Sequence, residues 1–273
     1  MKILIATDME GITGVTTWEQ VTPGHVEYAR FRKQMTNDVN AAIRGAFDAG
    51  ADEVIVADGH WNGSNILIEE LDPRARLNTG SPSPFSMMQG TDESIDGVMF
   101  IGYHARNGSP EAILDHTWSS KTVANVWLND ILTGEYGLNA AVAGHFGMPV
   151  IMVSGDQTAC AQVTELLGDL ETAVVKQASG RFAAECLAPQ VTQEIICLAA
   201  ERAVERLAQG NVPEAVVLDT PITVTVEFFT SDMADRATRI PFTKRAGTRV
   251  FLTVQEMASA YNGFRAMVML ASG

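Results

Sequence analysis

The chain has 273 residues, 46% of them hydrophobic, enough to bury a substantial core in one large domain or two smaller ones. Its 33 acidic against 19 basic side chains leave a formal net charge of −14, so a polyanion is repelled and nucleic acid is not expected as a partner. The opening run MKILIAT is too short for a signal h-region or a membrane span, and no later segment reads as a transmembrane helix.

Residues 2–7, KILIAT, form an apolar run that stops at Asp8, the pattern of a buried parallel strand whose end carries function. A helix is predicted near 30–49, where Met35, Val39, Ile43 and Phe47 recur every fourth residue and Gly50 supplies a C-terminal cap. Strands are predicted again at 54–57 (VIVA), 98–102 (VMFIG) and 150–154 (VIMVS), with helical stretches near 139–146 and 157–168 flanking the last. This alternation predicts an α/β fold, a mostly parallel sheet with helices on both faces. From about residue 180 the pattern changes to a long helix at 190–209, strands at 223–229 and 249–254, and a closing helix at 256–271. The expected organisation is an α/β metal-binding catalytic domain at 1–180 and a smaller α+β subdomain at 181–273. Cys160, Cys186 and Cys197 are odd in number and form no C-x-x-C pair, which disfavours a disulfide framework or a thiolate zinc site and fits a reducing cytoplasm.

The chemistry-bearing residues follow the predicted strands. Asp8 and Glu10 lie two apart just past the first strand, so strand alternation lets both carboxylates point the same way, and Gly11 and Gly14 permit a tight turn beneath them. His60 (in DGH) follows the second strand and His104 (in GYH) the third. The carboxyl ends of parallel strands share one edge, so these four side chains converge there. Two carboxylates and two imidazoles suit zinc, manganese or cobalt better than magnesium. With Glu135 the set has five members, too many for one tetrahedral zinc but suited to two ions bridged by a carboxylate, for which Asp8 is the candidate. Any one acid at a strand end also reads as a turn or helix cap, and any one histidine as a hydrogen-bonded structural residue; on the residues alone both accounts stand. Asp58 reads equally as a carboxylate orienting His60 or as a turn residue. His145 reads as a helix C-terminal residue, His25 as a loop or helix-start residue, and Met87, Met88, Met267 and Met269 as core filling.

The segments TDMEGITGV (7–15), ADGHWNGSN (57–65), PFSMMQG (84–90), GYHARNGSP (102–110), LDHTW (114–118) and GEYGLNAAVAG (134–144) carry a close resemblance to the DppA-type zinc D-aminopeptidases, peptidase family M55. It continues more weakly through MVSGDQ (152–157) and VVKQASGR (174–181), and the final third is less diagnostic. The resemblance implies a ligand set for two zinc ions at Asp8, Glu10, His60, His104 and Glu135, and an active-site histidine at His116, whose neighbours differ from the family pattern. It implies hydrolysis of the N-terminal residue of short peptides or amino-acid amides, D-amino-acid substrates among them, and assembly into a ring-shaped homodecamer. In such chemistry His116 is better suited to stabilising an oxyanion or shuttling a proton than to attacking carbon. Two other readings remain. DMEGIT is similar to the D-x-D-G-T motif of magnesium-dependent phosphatases of the haloacid dehalogenase type, and the same ligands also suit a non-catalytic, metal-stabilised peptide-binding protein.

Overall fold

Strand β1 (Lys2–Thr7) is apolar along its whole length because both of its faces are covered. Ile3 and Ile5 point to one side and Leu4 and Ala6 to the other, and all four are fully buried. The computed structural model describes residues 1–273. After β1 come α1 (Trp18–Val21), α2 (Tyr28–Asp48), β2 (Glu53–Asp58), β3 (Ala75–Asn78), β4 (Gly97–Ile101), β5 (Val123–Leu128), β6 (Ile131–Thr133), α3 (Glu135–His145), β7 (Val150–Asp156) and α4 (Gln157–Leu167). The chain continues through β8 (Glu171–Gly180), β9 (Ala183–Cys186), α5 (Pro189–Ala208), β10 (Ile222–Phe228), α6 (Ser231–Ala237), β11 (Lys244–Ala246), β12 (Arg249–Val254) and α7 (Met257–Ser272).

The first sheet has seven strands in the order β3-β2-β1-β4-β7-β8-β9, parallel throughout except for β9, which returns antiparallel on β8. Helices α2 and α5 cover one face: Met35, Val39 and Ile43 from α2 and Ile196, Ala200 and Val204 from α5 share a core with Ile3 and Ile5. On the other face Leu4, Ala6 and Phe100 share a core with Leu138 and Val142 of α3, Phe264 of α7, and Val224 and Val226 of the second sheet. That second sheet is antiparallel, in the order β11-β12-β10-β5-β6. Each aliphatic side chain buried in these cores contributes roughly 1.5–3 kcal/mol.

The α/β architecture is the one expected. Helix α3 starts at Glu135 rather than at 139, which puts that acid in the first turn. Strands β5 and β6 occupy 123–133, where none is predicted, and join β10 and β12 from the far end of the chain. The division expected near 180 falls within the β8–β9 hairpin of the first sheet, and α5 packs on α2. Membership of the two sheets therefore interleaves along the sequence, because pairing is decided by which strands can bury a common face.

Candidate metal centre

Strand β1 lies between β2 and β4, and Thr7 is level with Asp58 on one side and Ile101 on the other. The strand order reverses direction here, and loops leaving the carboxyl ends on either side of such a point diverge to leave a crevice. Asp8 comes one residue after β1, His60 two after β2 and His104 three after β4, so all three open into it. The 8–15 turn and the loop after β4 cross in close contact: Gly11 N donates to Gly102 O at 2.8 Å. A Cβ on Gly11 would lie 2.0 Å from the Tyr103 carbonyl oxygen, so no larger residue fits. Glu135 arrives from elsewhere, as the first residue of α3 after the β5–β6 hairpin. His116 lies in a segment with left-handed backbone at Glu111 (φ 47°), Leu114 (φ 50°) and Trp118 (φ 63°). That segment is held by Ile113 N donating to Asp156 Oδ2 at 2.7 Å and by an ion pair from Arg181 Nε to Asp115 Oδ1 at 2.9 Å.

Asp8, Glu10, His60, His104, His116 and Glu135 are all buried and come together. His60 Nδ1 stands 3.1 Å from Asp8 Oδ1 and 3.2 Å from Glu10 Oε2. His104 Nε2 stands 3.3 Å from Asp8 Oδ2 and 3.0 Å from Glu135 Oε1. His116 Nε2 is 3.6 Å from Glu135 Oε1 and 3.9 Å from Glu10 Oε1, with its ring stacked on His104 at a centroid distance of 4.0 Å. The ligand-type atoms of Asp8, Glu10 and His104 lie within 4.8 Å of one another, as do those of His104, His116 and Glu135. His60 joins through its contacts with Asp8 and Glu10. Both of those carboxylates reach His60, but β1 has ended by then, so their shared direction comes from the turn and not from strand alternation.

The outer nitrogen of each imidazole is tied to a backbone carbonyl. His60 Nε2 donates to Val21 O at 2.7 Å, His104 Nδ1 to Ala105 O at 3.0 Å, and His116 Nδ1 to Leu114 O at 2.8 Å. With the outer nitrogens of His60 and His104 donating, their inner nitrogens face carboxylate oxygens, and either a proton or a metal cation fits between them. Glu10 Oε2 and His104 Nε2 are buried without a hydrogen-bond partner, which leaves them free to ligate. The separations of 3.0–3.3 Å fit a shared ion, since ligands about 2.0–2.1 Å from a tetrahedral zinc stand roughly 3.3 Å apart. The donor set therefore fits a transition metal.

Electrostatics point the same way. Burial works against charge on His60 and His104, but the carboxylates of Glu10 and Asp8 around the first, and of Glu135 and Asp8 around the second, hold both imidazoles well above their usual pKa. Asp8 is opposed by burial too, yet His104 and His60 bring it well below the carboxylate range. The cluster attracts positive charge. His116 goes the other way: burial and then the charge of His104 push it down to about 4, so it stays neutral.

Asp58 does not touch the His60 ring; its carboxylate accepts from the backbone N–H of Asn65 and of Ile66 and from the Asn65 amide, which in turn donates to the His60 carbonyl. It is the loop residue of the two alternatives. His145 ends α3 and is exposed, as expected of a helix C-terminal residue. Met87, Met88 and Met267 fill the core, but Met269 is 72% exposed because it lies on the outer face of α7. Sequence patterning gives no hint of Trp18, whose ring meets His116 edge-on at 5.4 Å, nor of Lys176 beneath the 10–15 turn. Trp18 and the Val21 carbonyl belong to one turn of helix, α1, too short to leave a periodic signal.

A family model described as D-aminopeptidase, Peptidase M55, matches residues 1–266. The D-aminopeptidase of Bacillus subtilis (strain 168) is 36% identical over 273 residues, covering 99% of this chain and 98% of that protein. The solved structure of the Zn-dependent D-aminopeptidase DppA from Bacillus subtilis, described as a self-compartmentalizing protease, superposes with a TM-score of 0.96 at 34% identity, covering 100% of this chain and 98% of that one.

Proposed function

We propose, from the premise that this chain belongs to the D-aminopeptidase family M55, that it is a binuclear zinc aminopeptidase removing the N-terminal residue, a D-residue in particular, from short peptides or amino-acid amides. Membership makes the chain a peptide-bond hydrolase, so the phosphatase and non-catalytic binding readings fall away. The observation that carries the binuclear reading is the pair of Asp8 oxygens, one facing His60 and the other facing His104. Asp8 would be shared by two ions, one held with Glu10 and His60 and the other with His104 and Glu135. Zinc is favoured by the mixed oxygen and nitrogen donors and by the zinc dependence of the structural relative, with manganese or cobalt as substitutes.

The chemistry that two such ions supply is polarisation of the scissile carbonyl, activation of water and anchorage of the free amine. The protein's own part is orientation and proton handling. The carbonyls of Val21 and Ala105 fix the His60 and His104 rings so that their inner nitrogens aim at the cluster. Glu135 is held by the Trp118 N–H at 2.7 Å. His116, neutral and anchored through Nδ1, would take a proton of the attacking water at Nε2 and pass it to the leaving amine. Trp18 packs edge-on against its ring, with centroids 5.4 Å apart.

The same reading takes the chain as a subunit of a ring-shaped homodecamer, in keeping with the self-compartmentalizing relative, and places it in the cytoplasm, where the exposed thiol of Cys186 stays reduced. No helix is long and apolar enough to cross a membrane. Elemental analysis of the purified protein should return close to two zinc, manganese or cobalt ions per chain, with activity lost to chelation. Recovery of one ion, or of magnesium alone, would overturn the binuclear assignment. Paired D- and L-aminoacyl amides then test stereochemistry, and equal turnover of both would overturn the D-residue preference.

A further inference from the structure

Lys176, in the middle of β8, is 1% exposed and has no part in the chemistry above. Its side chain runs beneath the turn that carries Glu10. There its ammonium donates to three backbone carbonyls: Glu10 O at 2.7 Å, Ile12 O at 2.9 Å and Val15 O at 2.7 Å. An ammonium has three protons and no acceptor, so the three carbonyls use its whole capacity. The turn has little hydrogen bonding of its own: two backbone bonds, Ile12 N to Met9 O and Val15 N to Ile12 O, both at 3.2 Å, and Met9 N to Asp8 Oδ1 at 2.9 Å. Without the ammonium, buried carbonyls would be orphaned within six residues of chain. From the other side Thr13 N donates to Asp38 Oδ2 at 2.9 Å, so the turn is gripped by a cation through its carbonyls and by a carboxylate through an amide.

Glu10 sits at one end of that grip. Its carbonyl is bound to Lys176 while its carboxylate faces His60 and His116 across the centre, with Oε2 unpartnered. The backbone from which that carboxylate extends is therefore held at the point on which the three carbonyls converge.

We propose that Lys176 is a positioning residue of the metal centre, its ammonium gathering the Glu10, Ile12 and Val15 carbonyls so that the Glu10 carboxylate stands ready to ligate before metal arrives. This rests on the assignment of Glu10 as a ligand. It predicts that removing the ammonium loosens the turn in the metal-free protein and weakens metal binding.

The test uses the full-length chain and Lys176→Met, which keeps an unbranched side chain one atom shorter and removes its three donors. In metal-free protein, amide hydrogen exchange at residues 11–15 should speed up at least 10-fold over wild type while exchange in α2 and α5 is unchanged. Titration with Co2+, followed by its visible absorption and by competition with a chelator, should give at least 10-fold weaker binding and an altered spectrum. Turnover should fall in kcat more than in KM, and Lys176→Gln, which keeps an amide donor, should recover part of each loss. Wild-type Co2+ affinity and spectrum in Lys176→Met, with only the melting temperature lowered, would overturn the proposal, as would failure of both variants to fold, since the role is then structural alone. If wild-type protein itself binds no Co2+, the metal reading is what fails, and unaltered exchange at residues 11–15 in Lys176→Met would still refute the grip.

Discussion

In each imidazole of the cluster one nitrogen donates to a carbonyl and the other faces carboxylate, and this division predicts what removal of each residue does. His60→Ala and His104→Ala each delete a nitrogen aimed at Asp8; metal content and turnover should fall together with little change in circular dichroism. Asp8→Ala should be worse, because one oxygen faces each imidazole and both positions lose a member. A histidine variant with normal metal content would return that residue to a structural role. His116 stands farther from the carboxylates, at 3.6 and 3.9 Å, and is the neutral one. His116→Ala should keep both ions and lose roughly 100-fold or more in kcat, the scale of a proton-transfer group. Loss of metal along with activity would make His116 a ligand instead. Metal content, kcat and melting temperature on one variant separate these outcomes.

At the scale of elements, two turns decide whether the centre can form. The crossing of the 8–15 turn with the loop after β4 depends on Gly11, where an added Cβ meets backbone atoms that cannot swing aside. Gly11→Ala should cost more than about 3 kcal/mol in urea unfolding and reduce metal content, because the clash and the ligands are on the same two loops. The β5–β6 hairpin, which delivers Glu135, turns through Asn129 and Asp130, both with positive φ (45° and 69°), a two-residue type I′ turn that suits the twist of the strands. Asp130→Gly should stabilise by about 0.5–1 kcal/mol by relieving the left-handed strain. Asn129→Ala should destabilise by about 1–3 kcal/mol, since the Asn129 amide donates to Asp219 O and its oxygen accepts from Thr223 N, each at 2.7 Å. Opposite signs at adjacent positions, read from chemical denaturation, check the turn assignment. The dipeptide Asn-Asp between VANVWL and ILT is the signal that could have located this hairpin in the sequence.

For the whole molecule, metal binding and proton release are coupled. His60 and His104 are held above their ordinary pKa by buried carboxylates, so in metal-free protein near neutral pH they carry protons that an entering cation displaces. Affinity should therefore rise with pH until both imidazoles are neutral. Calorimetric titration with zinc in buffers of different ionisation enthalpy should report proton release, and a heat independent of buffer would contradict it. Metal at about a thousand times its dissociation constant adds about 4 kcal/mol per site, and chelation should lower the melting temperature by on the order of 10 °C. The assembly belongs to this scale as well: native mass spectrometry should find ten chains per particle. Val26, Val217 and Phe242 are 91%, 77% and 92% exposed on the single chain, and a ring would be expected to cover apolar side chains of this kind.

The sequence by itself determined the four adjacent central strands of the first sheet and their strand-end residues, because β1, β2, β4 and β7 are buried on both faces and read as unbroken apolar runs that stop where polar chemistry starts; β3, β8 and β9 at its edges carry no such run. Asp8, His60 and His104 were legible for that reason, and local periodicity placed α2, α5 and β12 to within two residues. Tertiary structure alone decided the rest. The interleaving of the two sheets, the arrival of Glu135 on a hairpin paired with strands some hundred residues later, and the anchoring of three imidazoles by the carbonyls of Val21, Ala105 and Leu114 all depend on contacts between distant segments. So does Lys176, which in sequence is one polar residue in a strand and in space is the partner of three carbonyls more than 160 positions away. Backbone carbonyls carry no sequence signature, and a residue that acts by holding them becomes visible only when the chain has folded around it.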